Sequence, residues 1–176
     1  MRPFPLHRTP GPQDPQRKRG LTLVELVICV AVLATLGVLA LPGLGAQLQH
    51  QRLRSAAQVL AGDLTEARFL AAQRGVPVFV QARAGPQWCW SVALDSACSC
   101  DDSKSCSVHK VAARDHPGVQ LQTALSVALD PTGTAQSAQG AVLTSARGES
   151  LRVDVSPQGR ARICALSGTW PQLPAC

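Results

Sequence analysis

The sequence lacks the short motifs that mark the common enzyme classes. It contains no GxSxG nucleophile turn, no P-loop, no HExxH zinc motif and no GxGxxG dinucleotide fingerprint. The histidines at positions 50, 109 and 116 show no spacing typical of a metal site or a proton relay. Since no carboxylate pair is distinctive either, we expect a protein that is not an enzyme and uses no cofactor or metal.

Several residue types are scarce. Asparagine and tyrosine are absent, aromatic residues make up 3% of the chain, and 14 of the 17 basic residues are arginine. Because arginine is used in place of lysine along the whole chain, an arginine at one position is weak evidence for selection there. A small domain with few aromatic side chains has a limited core, so disulfides would add much of its stability.

The basic charge is concentrated at one end. The formal net charge is +6, but residues 1–20 hold five of the 17 Lys and Arg and one of the 11 Asp and Glu. The remaining residues therefore carry 12 positive and 10 negative side chains, a net charge of +2. A polyanionic partner must be argued from the local placement of charge, not from the total.

The longest apolar segment follows that basic end. Arg17, Lys18 and Arg19 precede Gly20, and the following residues are apolar to position 41 apart from Thr22, Glu25 and Thr35. About 20 apolar residues cross a bilayer as a helix. We predict a transmembrane helix over residues 21–45, with residues 1–20 in the cytoplasm and the rest exported to the periplasm.

Glu25 is an acid within this apolar segment, where a carboxylate is costly unless it is paired or neutralised. It is either an interfacial acid near the start of the helix, where the helix dipole favours negative charge, or a partner for the amino terminus of a neighbouring subunit.

The segment around Gly20 resembles the type IV prepilin processing motif, in which a Gly is followed by TLVEL and an apolar helix. The resemblance implies that residues 1–20 are a leader, that a prepilin peptidase cuts between Gly20 and Leu21, and that the new terminus is methylated. It further implies assembly with other pilins or pseudopilins, with Glu25 guiding the stacking. Leu21 stands where the family usually has Phe.

A helical pattern continues beyond Gly45. Apolar residues recur at steps of three and four and form one stripe, which predicts an amphipathic half of the long helix over residues 46–75. The stripe consists of Leu53, Ala56, Ala57, Leu60, Leu64, Ala67 and Ala71. Gly75 and Pro77 are expected to end the helix.

Residues 76–176 change to strand patterns. Alternating apolar residues predict strands over 76–80, 88–94, 108–113, 119–125, 141–144, 151–155 and 160–166, separated by Gly- and Pro-containing turns. We therefore predict an α+β fold in which one long helix packs on an antiparallel sheet, with a periplasmic, β-rich globular domain stabilised by disulfides.

Seven cysteines are present, and Cys29 lies in the apolar segment. The other six lie in the exported part, where oxidation favours disulfides. We expect Cys164 to bond to Cys176. The remaining four are Cys89, Cys98, Cys100 and Cys106, for which Cys89–Cys98 and Cys100–Cys106 is the simplest order; a zinc site made by these four is the alternative.

The sequence LRVDVSPQGRARIC carries two arginines that alternation places on one strand face. Arg160 and Arg162 would point away from the core, about 7 Å apart, after a turn in which Gly159 adopts a positive φ. Such a pair suits successive phosphates of a nucleic acid, and Arg152 on the preceding strand would extend it. A solvated strand face whose charges prevent aggregation is the alternative.

The whole layout, a long helix and then strands with Ser-Pro-x-Gly-Arg-x-Arg and a following Cys, resembles the FimT/GspH-like minor pilins and pseudopilins. Some FimT-like minor pilins bind DNA through a C-terminal Gly-Arg-x-Arg motif in natural transformation, and Gly159, Arg160 and Arg162 match it. The resemblance implies a pilus subunit that binds DNA without sequence preference. The alternative is a structural pilus-initiation subunit or type II secretion pseudopilin that does not bind DNA.

Overall fold

The computed structural model describes residues 22–100, 106–137 and 139–176. One long helix, α1 (Leu23–Arg74), is followed by eight strands and a short 3-10 helix, Ala113–Asp115. The strands are β1 (Val78–Arg83), β2 (Cys89–Leu94), β3 (His109–Ala112), β4 (Val119–Leu121), β5 (Leu125–Leu129), β6 (Gln139–Ser145), β7 (Ser150–Val155) and β8 (Ala161–Ser167). A helix packed on antiparallel sheets is the α+β fold that the sequence predicts.

The chain divides into two compact units, Met1–Leu41 and Pro42–Cys176. In the described part of the first unit the large apolar side chains are exposed, with Leu23 at 79% and Leu33 at 68%. Among the described residues, no helix combines the length and the apolar character that crossing a membrane requires. The membrane span at residues 21–45 stays a prediction from the sequence.

The ends of α1 follow from local chemistry. The hydroxyl of Thr22 accepts the backbone N–H of Glu25 at 3.2 Å, which satisfies one of the free donors of the first turn. At the other end, Gly75 has φ +69°, a left-handed conformation that glycine adopts without a steric penalty. Pro77 follows and cannot continue the helix, so the predicted end at Gly75 is confirmed.

The predicted apolar stripe of α1 forms one side of the core in the second unit. All seven of its members have zero exposure: Leu53, Ala56, Ala57, Leu60, Leu64, Ala67 and Ala71. They join one apolar cluster with buried side chains of both sheets, among them Val80, Leu143 and Leu151. The four alanines keep the helix surface narrow, which lets the sheets approach closely.

The strands form two four-stranded antiparallel sheets, with the orders β3-β2-β1-β5 and β4-β6-β7-β8. The predicted single strand over residues 119–125 is therefore wrong. β4 pairs with β6 in one sheet and β5 pairs with β1 in the other, so the chain changes sheets at residues 122–124. Leu121 and Leu125 keep the same two-residue period, and the break is marked only by the polar, exposed Thr123 between them.

The three tryptophans connect the elements and each indole N–H is satisfied. Trp88 donates to the carbonyl of Val119 at 2.8 Å, and Trp90 donates to the Asp63 carboxylate on α1 at 2.6 Å. Burial raises the pKa of Asp63 above its ordinary value, although the Trp90 bond and the nearby His109 act in the opposite direction. Trp170 stacks on the ring of His50, with ring centres 3.7 Å apart. These contacts hold α1 against β2 and the C-terminal tail.

Candidate functional site

The turn between β7 and β8 brings the conspicuous arginines of the sequence to the surface. The N–H of Gly159 donates to the carbonyl of Ser156 at 2.8 Å, and the N–H of Ser156 donates to the carbonyl of Arg160 at 3.0 Å. The Ser156 hydroxyl also accepts the N–H of Arg160. Gly159 has φ +69°, so the positive φ expected from the sequence is present.

A second constraint on Gly159 comes from a different loop. A Cβ added at this position would collide with the backbone carbonyl of Gly133 and would lie 3.2 Å from the side chain of Leu129. Both the backbone angle and the close approach of another loop therefore require glycine here. The turn that presents Arg160 is packed against the loop that follows β5.

That loop is itself held by a compact hydrogen-bond network. The Asp130 carboxylate accepts the hydroxyls of Thr132 and Thr134, both at 2.6 Å, and the backbone N–H of each. These bonds, that of the Thr132 hydroxyl first, lower the pKa of Asp130 to about 2, so the network keeps its charge at neutral pH. From α1, the Arg68 guanidinium donates to the Gly133 carbonyl at 3.0 Å.

The two loops are also joined directly, since the N–H of Ala135 donates to the carbonyl of Pro157 at 2.9 Å. The helix thus supports the loop after β5, and that loop supports the turn between β7 and β8. A rigid turn lets the following arginines keep a fixed position relative to the sheet.

Arg162 lies on β8 and Arg160 immediately precedes this strand, and both are exposed on one side of the sheet, as the alternation predicts. Both are exposed, whereas the alternate β7 residues Leu151, Val153 and Val155 are buried. In the part of the chain that the structure describes, neither guanidinium has a hydrogen bond or an ion pair. Both therefore keep all their donors for a ligand.

Arg152 lies on the same face but is engaged. In the register of β7 with β8 it lies opposite Cys164, and Asp154 lies opposite Arg162. The Nε of Arg152 is 2.7 Å from Oδ1 of Asp154, and the two side chains are 44% and 38% exposed. Arg152 therefore lies beside Arg160 and Arg162 as predicted, but together with the carboxylate of Asp154. Alternation in Arg-Val-Asp places Asp154 on the same face as Arg152, a signal that the prediction did not use.

These side chains line an open depression of about 770 Å³, which we call the arginine groove. Its polar and charged lining consists of Gln139, Arg152, Asp154, Ser156, Gln158, Arg160 and Arg162, with Cys176 at its border. The side chains of three arginines and one aspartate give the lining a formal side-chain charge of +2, equal to the side-chain charge of the whole chain after residue 20. An extended anion is the chemistry that such a surface suits.

The Cys164–Cys176 disulfide, as expected from the sequence, closes one side of the groove. The N–H of Ala165 donates to the carbonyl of Pro174 at 2.8 Å, and the N–H of Cys176 donates to the carbonyl of Ala165 at 3.1 Å. The tail therefore pairs with the edge of β8, which covers part of an otherwise open sheet edge.

The predicted pairing of the other four cysteines, Cys89–Cys98 and Cys100–Cys106, is wrong. The structure pairs Cys89 with Cys100 and Cys98 with Cys106, so the two bridges interleave instead of joining neighbours in sequence. Cys89 is fixed in β2, and the hydroxyl of Ser91 on the same strand binds the carbonyl of Cys98 at 2.7 Å. Cys98 therefore lies beside Ser91 and not beside Cys89, and Cys100 is the residue bonded to Cys89.

The predicted processing and assembly residues are only partly visible. Gly20 and Leu21 lie outside the described residues. Glu25 lies in the first turn of α1 with its side chain exposed, in the unit formed by Met1–Leu41. The arginine groove and Glu25 belong to different units, so they are two separate sites.

Comparisons with known proteins bear on both sites. The Prokaryotic N-terminal methylation motif matches residues 15–41, which include Gly20 and Glu25. The profile described as Type II transport protein GspH matches residues 56–159, more than half of the chain. The chain belongs to the GspH family. It is accordingly a subunit of the pilin and pseudopilin type that carries a prepilin methylation motif.

Among solved structures, the GspH-family chain is similar to the type IV minor pilin FimU of Pseudomonas aeruginosa strain PAO1. The identity is 16%, the TM-score is 0.49, and the match covers 66% of this chain and 99% of that one. No curated protein matches the sequence.

The limits of the GspH match are informative about the arginines. The matched region ends at Gly159, so Arg160 and Arg162 lie beyond it. The two matches cover most of α1, the strands β1 to β7, and the part of the groove that contains Arg152 and Asp154, but they do not extend to Arg160, Arg162 or β8. A function for Arg160 and Arg162 must therefore be argued from their own positions in the structure.

Proposed function

We propose that this protein is a minor type IV pilin of the FimT-like kind that binds DNA without sequence preference, for DNA uptake in natural transformation. The observation that carries the proposal is the pair Arg160 and Arg162, exposed and unpartnered among the described residues, beside a turn that packs on the loop after β5, which α1 supports. Residues two apart along an extended chain are about 7 Å apart, which matches the spacing of neighbouring phosphates along a nucleic-acid strand. Two such contacts make binding weak per subunit, and several copies in a filament would strengthen it.

The assembly pathway is part of the same proposal. A prepilin peptidase removes residues 1–20 at Gly20, residues 21–45 anchor the protein in the inner membrane, and the filament carries the globular unit outward. Glu25 pairs with the amino terminus at Leu21 of a neighbouring subunit. In support, Glu25 is exposed near the start of α1, and the methylation motif covers it.

The alternative is a structural subunit, either a pilus-initiation component or a type II secretion pseudopilin, without DNA binding. It is favoured by the description of the matching family, which names type II transport. The two functions differ in one measurable property, the dependence of DNA binding on the arginines of the groove.

Removing the two arginines tests DNA binding. We expect Arg160→Gln with Arg162→Gln to weaken binding of a labelled duplex by the full chain in a neutral detergent at least about tenfold at low salt, and to reduce the salt slope by about 1.8. The melting temperature should stay nearly unchanged, because exposed strand charges affect stability by about ±0.5 kcal/mol. Fluorescence anisotropy across a salt series measures both quantities.

The matched control is Arg114→Gln with Arg147→Gln, which removes the same charge from exposed positions outside the groove. It should retain most of the affinity. Absence of DNA binding by the wild-type protein at low salt, or equal binding by the Arg160 and Arg162 variant, would favour the structural subunit.

Replacing Glu25 tests the assembly proposal. We expect Glu25→Ala to insert in the membrane normally but to be depleted in sheared filaments, because the neighbour's amino terminus loses its counter-charge. Glu66→Ala, which removes an exposed acid from the other half of α1, is the control. Immunoblots of filament and membrane fractions measure the ratio, and intact mass should show loss of residues 1–20. Normal incorporation of Glu25→Ala would leave Glu25 as an interfacial acid only.

A further inference from the structure

We propose that Asp154 limits the affinity of the arginine groove for phosphate by holding Arg152 in an ion pair. The inference rests on the proposed DNA binding and assigns a positioning residue to that site. It concerns the only acidic side chain that lines the groove among the described residues.

The geometry places Asp154 between two arginines. It is two residues from Arg152 on β7, so both side chains leave the same face of the sheet, and it lies opposite Arg162 on β8. Its Oδ1 is 2.7 Å from Nε of Arg152. The Nε–H of Arg152 is thereby used within the protein, which removes the side-on two-pronged contact with a phosphate and leaves only the Nη groups for one.

The neighbouring strand leaves room for this pair. Gly140 on β6 lies opposite Asp154, and a Cβ at Gly140 would collide with the Asp154 carboxylate and would come 2.7 Å from Nε of Arg152. Glycine inside a strand weakens it and usually marks a close approach of another group. The ion pair of Arg152 and Asp154 thus lies directly over the backbone of Gly140, and any side chain at position 140 would displace it.

The negative charge of Asp154 lowers the positive electrostatic potential that an anion meets in the groove. A carboxylate about 6 Å from a phosphate opposes binding by about threefold in affinity at the dielectric constant of water, and by more near the protein surface. Asp154 also engages one edge of the Arg152 guanidinium, so that one of the three guanidinium groups offers fewer donors to phosphate. The groove therefore binds an extended anion weakly and releases it readily, while Arg160 and Arg162 provide the contacts.

The test is Asp154→Asn in the full chain, kept in a neutral detergent and titrated into a labelled duplex. Asparagine keeps the size of the side chain and removes its charge. We expect affinity to rise by about 3- to 10-fold at low salt, and the salt slope to become steeper by about 0.9 as Arg152 gains a phosphate contact. Asp154→Glu, which keeps the carboxylate, should bind nearly as the wild type does.

The matched control is Asp95→Asn, which changes the net charge equally at an exposed position outside the groove. Asp95 has φ +62°, which asparagine also adopts readily, so the turn is preserved. An equal gain with Asp95→Asn would attribute the effect to total charge and would overturn the inference. So would unchanged or weaker binding by Asp154→Asn.

A spectroscopic measurement reports on the pair itself. The Nε–H signal of Arg152 in a proton–nitrogen NMR spectrum should be protected from exchange in the wild type and should lose that protection in Asp154→Asn. The same exchange rate in both proteins would show that the pair does not hold Arg152. If neither protein binds DNA, the proposed function fails together with the inference; if the wild type binds through Arg160 and Arg162 but Asp154→Asn brings no gain, only the inference fails.

Discussion

Replacing Gly159 with alanine is expected to lower the free energy of unfolding by about 2–4 kcal/mol, because two independent penalties meet at this position. The positive φ of Gly159 is strained for any residue with a Cβ. In addition, the new methyl group would occupy the space of the Gly133 carbonyl. The turn would have to move away from the loop after β5, which would shift Arg160 and weaken DNA binding.

Gly148 provides the matched control for that experiment. It lies between β6 and β7 with φ +85°, and a Cβ there would meet no atom within 4 Å. Gly148→Ala should therefore cost only the conformational penalty, about 1–2 kcal/mol. Urea unfolding followed by tryptophan fluorescence measures both variants, since Trp88 and Trp90 are buried in the core. Equal losses at the two glycines would show that the contact with Gly133 contributes nothing.

Removing the Cys164–Cys176 disulfide is expected to cost about 3 kcal/mol of stability, the chain-entropy value for a loop of this length. The bridge joins residues 12 apart and fixes the tail on the edge of β8. In the double variant Cys164→Ala with Cys176→Ala, the bonds between Ala165 and the tail should open more often. Hydrogen exchange at the amide of Ala165, which donates to Pro174, should then become faster.

The Cys89–Cys100 bridge serves as the comparison, because it joins residues 11 apart at a site outside the arginine groove. Its removal should cost at least as much stability, since both sulfurs are also buried, but should leave the exchange of Ala165 unaffected. An unchanged stability on loss of Cys164–Cys176 would mean that Trp170 and the tail hydrogen bonds suffice to hold the C terminus.

The helix was predictable because its signals are local. The seven buried residues of its stripe recur at steps of three and four, and its end is set by Gly75 and Pro77, which follow it. The outward direction of Arg160 and Arg162 was predictable for the same reason, since alternation along a strand fixes which side chains share a face.

The division into two sheets was not predictable. From Val119 to Leu129 every second residue except Thr123 is buried, so the periodicity is the same as for one strand. The break depends on β4 pairing with β6 and β5 with β1, and those partners are distant in sequence. The interleaved disulfides were not predictable either, because the spacing of cysteines in the sequence does not determine how the loop after β2 packs on that strand.

The sequence by itself determined the family motif at Gly20, the amphipathic helix and the two arginines on one strand face, all of which depend on neighbours along the chain. Only the tertiary structure placed the Gly133 carbonyl against Gly159 and left open strand backbone at Gly140 beneath Arg152 and Asp154. These contacts join β6 to β7, and the loop after β5 to the turn before β8. Their distances depend on how the sheets pack, and no local pattern of residues encodes that packing.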